Sequence, residues 1–116
     1  MPHIHTQPGQ HDHTVSAYII RLDTPEPTVM LHMHKLFGIY LQFGGHIELD
    51  EMPWQAIAHE ITEESGYELS QLELLQPKDR IRKLPTATLH PYPTCQNTHI
   101  IGQSHFHTDT AYALVT

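Results

Sequence analysis

Gly44 to Tyr67 reads GGHIELDEMPWQAIAHEITEESGY, and the spacing of its charged and apolar residues decides the fold. Glu60, Glu63 and Glu64 stand at i, i+3 and i+4, an interval that a helix stacks on one face. Trp54, Ile57, Ala58 and Ile61 recur at three- and four-residue spacing and predict an apolar stripe that seats this helix on a sheet. Its start is expected near Met52 or Pro53, since proline fits a first turn whose backbone N–H is not needed; Asp50 or Glu51 would cap it and complement the helix dipole. Gly66 is placed to end it as a C′ glycine. Like charges at i,i+4 weaken an isolated helix by about 0.2–0.5 kcal/mol. The clustering therefore reads either as a solvated acidic face or as a carboxylate set gathered for a cation. Oxygen ligands of this kind suit magnesium, manganese or calcium better than zinc or copper.

Upstream, Thr14 to Leu22 (TVSAYIIRL) is rich in β-branched and aromatic residues and reads as a strand. Pro25 and Pro27 mark a turn, and Thr28 to His34 (TVMLHMH) reads as a second strand pairing with the first. There Val29, Leu31 and Met33 alternate with Met30, His32 and His34, which directs the two histidines toward solvent or a cleft. In Lys35 to Glu48, Gly44-Gly45 reads as a turn pair or as a place where backbone approaches a ligand closely, neither residue having a Cβ.

Downstream, Glu68 to Gln76 is expected to be a strand, and Pro77 to Pro85, with Lys78, Arg80, Arg82 and Lys83, a solvated loop whose alternative role is to attract phosphate. Leu89-His90-Pro91-Tyr92-Pro93 is followed by a stretch read as a linker. Ser104 to Val115 then alternates clearly, with His105, His107 and Asp109 on one face and Phe106 and Thr108 on the other. Two histidines and an aspartate so spaced suit zinc or the lining of a substrate cleft, the latter being preferred.

Gly45, five residues, Glu51, seven residues and then His59-Glu60-Ile61-Thr62-Glu63-Glu64-Ser65-Gly66-Tyr67 closely resemble the signature box of the Nudix hydrolases, with His59 where the family has arginine. The resemblance extends to Lys35–His46 and to the His-Pro-x-Pro and His-x-His-x-Asp stretches of one subset, although Ala111 replaces an arginine there. It implies an α/β (α+β) mixed-sheet sandwich with a loop-helix-loop. It also implies magnesium-dependent hydrolysis (manganese as a substitute) of a nucleoside diphosphate linked to another group. On the family pattern Gly45, Glu60, Glu63 and Glu64 hold the metal, Glu60 or Glu63 activates water, and Glu51 supports the residue at the arginine position. Imidazole lacks the fork and permanent charge of guanidinium, so His59 is expected to slow turnover, with a dependence on its protonation. His105, His107 and Asp109 are expected to line the substrate cleft.

The chain's 116 residues suit one domain, taken as 13–116 behind a loosely held arm of residues 1–12; His3, His5, His11 and His13 would bind a transition metal only adventitiously. Thirteen acidic against six basic side chains, a net charge of −7, argue against an extended nucleic-acid surface. A lone Cys95 forms no intramolecular disulfide, and no apolar run reaches bilayer length, so a cytoplasmic setting without membrane contact is expected. Family domains usually continue into a further helix, whereas this sequence ends at Thr116; either the chain is truncated or a partner subunit covers the sheet face, and of partners a homodimer is the preferred expectation. Two other readings stand beside the hydrolase. One is a binding module of the same fold that does not turn its nucleotide over; the other is a histidine-rich zinc protein that depends on His105 and His107.

Overall fold

A computed structural model describes residues 7, 9–76, 82–101 and 105–116. Its centre is β1 (His11–Arg21), flanked on one side by two antiparallel strands, β2 (Thr28–Met30) and, beyond the short ribbon β3 (His32–Met33) and β4 (Tyr40–Leu41), β5 (Phe43–His46). Helix α1 (Pro53–Ser65) follows, then a 3-10 turn at Leu69–Gln71 and the strands β6 (Glu73–Leu74), β7 (Arg82–Lys83), β8 (Thr88–Leu89), β9 (Cys95–Ile101) and β10 (His105–Val115). β10 returns to lie parallel to β1 over ten paired positions, with β6 and β9 antiparallel to it. The result is a six-stranded mixed sheet with the one α-helix of the described residues laid across it.

Alternation along β1 gives the sheet two unlike faces. Val15, Ala17 and Ile19 join Phe43, Tyr112 and Leu114 beneath Ala56, Ile57 and Ile61 of α1 to form the core. Each fully buried Ile or Leu contributes about 1.5–3 kcal/mol. On the other face Asp12, Thr14 and Ser16 are also buried, beside His105 and Asp109 of β10. Thr14 Oγ1 and Ser16 Oγ donate to Asp109 Oδ1 at 2.7 and 3.1 Å. Short polar side chains are held on this face by hydrogen bonds.

Several expectations are corrected. Thr28–His34 is interrupted at Leu31, and its sides are reversed: Val29, Leu31 and Met33 are exposed, while His32 turns inward and stacks on Phe43 at 5.0 Å. Neither Asp50 nor Glu51 caps α1; Met52 is the N-cap, and its N–H donates to Gln55 Oε1 at 2.7 Å. Ala56 rather than Ala58 enters the core, and Trp54 packs at its rim. Glu68–Gln76 is not one strand: it opens with a 3-10 turn at Leu69–Gln71, Leu69 and Leu72 fold back on the core, and only Glu73 and Leu74 pair with β10. The stretch read as a linker forms β9, all seven residues exposed, so no buried side marked it as a strand. Gly44-Gly45 lies inside β5 and is not a turn. The arm of residues 1–6, Lys78, Arg80 and Ser104 lie outside the described residues.

Candidate active site

Helix α1 runs above β5, and its flank carries the acidic residues across that strand. Gly45 faces the helix: a Cβ placed there would run into the Glu60 carboxylate, which would have to shift from this position. Gly44 N–H donates to Glu64 Oε1 at 2.8 Å. The other oxygen of Glu64 lies 3.5 Å from His32 Nε2, which brings in a side chain that helical spacing could not reveal. At the end of the helix Gly66 takes the left-handed conformation, with φ at 82°, and its N–H donates to Thr62 O.

His59 bridges two carboxylates. Its Nδ1 lies 2.9 Å from Glu51 Oε2 and its Nε2 3.0 Å from Glu60 Oε1, while Glu51 Oε1 accepts the Glu48 N–H. Both oxygens of Glu51 are thus engaged, one by the loop and one by His59. Burial opposes the imidazolium form of His59, but the Glu51 hydrogen bond and the charges of Glu60, Glu51 and Glu63 outweigh it and raise its pKa. Glu60 is pushed up to about 7, first by burial and then by the charge of Glu64, with Glu63 adding and His59 opposing. One ligand atom from each of His59, Glu60 and Glu63 falls within a 4.8 Å cluster. The two carboxylates of this set suit a hard divalent cation, which would offset the burial and the repulsion that together keep Glu60 protonated near neutrality.

A fold of this order, with the box residues brought to one edge of the sheet, is matched by solved structures. One, a hydrolase of the NUDIX family from Clostridium perfringens, is 31% identical over 90% of this chain and 68% of its own, with a TM-score of 0.69. The chain belongs to the Nudix family. The Ap4A hydrolase of C. elegans, 17% identical over 90% of this chain and 69% of its own, shares the fold with a TM-score of 0.60. No protein-family model matches the chain, and no curated protein does.

Two open clefts border the Nudix box. One of about 640 Å³ runs from Glu48 and Glu51 past Pro53 to Gln96 and Thr110; the other, about 460 Å³, lies along α1 beside His59 and Glu63. His105, His107 and Asp109, expected along the substrate cleft, line neither. Asp109 is buried and accepts the hydroxyl protons of Thr14 and Ser16. His105 and His107 turn to Asp12 and His46 on the sheet face away from α1. Burial lowers the His107 pKa to about 4, with His46, His105 and His99 adding to the effect and Asp12 opposing it. Asp12 belonged to the part read as a loose arm, and His46 carried no assigned role. The only signal for His46 was its place directly after Gly44-Gly45.

Proposed function

We propose that this Nudix chain hydrolyses a phosphoanhydride bond in a nucleoside diphosphate linked to another group, with magnesium (or manganese) held by Glu60, Glu63 and Glu64 and by the carbonyl of Gly45. The observation that carries this reading is the Glu60 carboxylate, packed where Gly45 leaves room for it and clustered with His59 and Glu63. When bound, the cation offsets charge on the phosphate oxygens and lowers the pKa of water. The chain's own residues supply the rest. Glu60 or Glu63 accepts the proton of the attacking water, and the role is assigned to the pair. Glu51 and His59 hold Glu60 in register from behind. Gly44 N–H fixes Glu64, which keeps its second oxygen near His32.

The substrate class proposed is a nucleotide or nucleotide-sugar-like diphosphate, bound in one of the two clefts beside the box. The same proposal places the chain in a reducing cytoplasm, in keeping with an exposed, free Cys95, and pairs it as a homodimer. Among the described residues no helix is long and apolar enough to cross a membrane.

A second reading, a binding module that does not turn its ligand over, is favoured by His59, which meets Glu60 with an imidazole where the family has a guanidinium. Release of nucleoside phosphate from a panel of nucleoside diphosphate conjugates and Ap4A, with and without magnesium, separates the two. The hydrolase reading expects magnesium-dependent release that falls by about 10²–10⁴ in Glu63→Gln or Glu64→Gln. Nucleotide binding with no release from any member of the panel would leave the binding module.

A further inference from the structure

The sheet face opposite α1 holds a second cluster. Parallel pairing sets Asp12 of β1 level with His107 of β10, and antiparallel pairing sets His46 of β5 level with Thr14. With period-two alternation, Asp12, His46, His105 and His107 all project from the same side. One ligand atom from each lies within 4.8 Å of the other three. His107 Nε2 stands 3.2 Å from His46 Nε2 and 3.1 Å from His105 Nε2, and His46 Nε2 stands 3.1 Å from Asp12 Oδ2. Asp12, His46 and His105 are 4%, 9% and 5% exposed.

Hydrogen bonds do not account for this arrangement. Each imidazole nitrogen offers either one proton or one lone pair, yet His107 Nε2 faces two other nitrogens at once. Asp12 Oδ2, although near His46, is buried and accepts no hydrogen bond. A buried carboxylate oxygen left so is costly. A cation set among the four atoms would satisfy all of them together. Zinc bonds of about 2.0–2.1 Å in a tetrahedron put neighbouring ligands about 3.3–3.4 Å apart, close to the separations found here. Three nitrogen donors select zinc-like metals and disfavour magnesium.

We infer that Asp12, His46, His105 and His107 form a closed, four-ligand zinc site that ties β1, β5 and β10 together on the face away from the acidic helix. Four protein ligands leave no open position, so the metal there is structural. β5 links the two sites, because Gly45 faces Glu60 while His46, the next residue, faces the cluster. The inference does not depend on the hydrolase reading.

The test uses the full chain, stripped with a chelator and titrated with Zn²⁺ alone and, separately, with Co²⁺ alone as a spectroscopic probe. One equivalent of zinc per chain, held against millimolar magnesium, and the intense visible bands of tetrahedral cobalt are expected. Asp12→Asn and His107→Ala should each weaken zinc binding by more than the about 10–100-fold typical of changes behind the ligands. Glu60→Gln and His99→Ala, the latter removing the ring 5.5 Å from His107, should leave it unchanged. No zinc uptake by the folded parent, or the pale spectrum of octahedral cobalt, overturns the inference; both are read on the parent and stand even where a variant fails to fold. Zinc binding lost in Glu60→Gln but kept in His107→Ala overturns it as well.

Discussion

Glu60 is half-buried beside two other carboxylates, and in the metal-free protein it is held protonated to about pH 7, against an ordinary value of 4.5. A group whose folded pKa is raised stabilises the fold below its unfolded pKa, and that contribution is lost as pH climbs from 4.5 to 7. Glu60→Gln keeps the shape without the charge. In chelator-treated samples its melting temperature should match the parent's at pH 4.5 and exceed it by about a few degrees at pH 8. Magnesium should reverse the order at pH 8 by stabilising the parent alone; equal melting curves at both pH values would contradict the burial of Glu60. Gly45→Ala places a Cβ against the same carboxylate and should abolish magnesium-dependent activity while circular dichroism stays that of the parent. His59→Arg restores a permanent charge beside Glu51 and Glu60, and kcat is expected to rise. An unchanged or lower kcat would show that the histidine is not what slows the chain.

At the scale of elements, α1 was legible because three independent signals agree: the apolar stripe, Pro53 at the start and Gly66 at the end. Ile57 and Ile61 are fully buried, and truncating Ile61 to Ala should cost about 2–5 kcal/mol of unfolding free energy, read from denaturant midpoints. Gly66→Ala must carry a Cβ at positive φ and should cost about 1–2 kcal/mol by the same measurement. β1 and β10 were legible as strands too, but β9 was not. Period-two reading detects the difference between a buried and an exposed side, and β9 has no buried side. In Thr28–His34 the alternation was visible, yet its sense came out reversed. Phe43, supplied by another strand, offers His32 a stacking partner, and the apolar side chains are left outside.

At the scale of the whole molecule, the β3–β4 ribbon carries a group of exposed apolar side chains: Leu36, Phe37 and Tyr40 are 74%, 64% and 65% exposed, and Val29, Leu31 and Met33 of the same stretch are exposed as well. Patches of this kind mark interfaces more often than free surface. The proposed homodimer should sediment as such at micromolar concentration and shift toward monomer in Leu36→Asp/Phe37→Asp; a monomeric parent would remove the dimer.

By itself, the sequence determined the acidic helix, its two ends, the identity of the box residues and the family's mixed fold. The helix, its ends and the box spacing lie within reach of local propensity and a 3.6-residue period, whereas the mixed fold followed from the resemblance to the Nudix box. Tertiary structure alone decided that Glu51 and Glu60 share His59, that His32 approaches Glu64, and that Asp12 and His46 join His105 and His107. The physical reason is register. Asp12 and His107 are 95 positions apart, brought level by a parallel pairing at the sheet centre that no local pattern encodes.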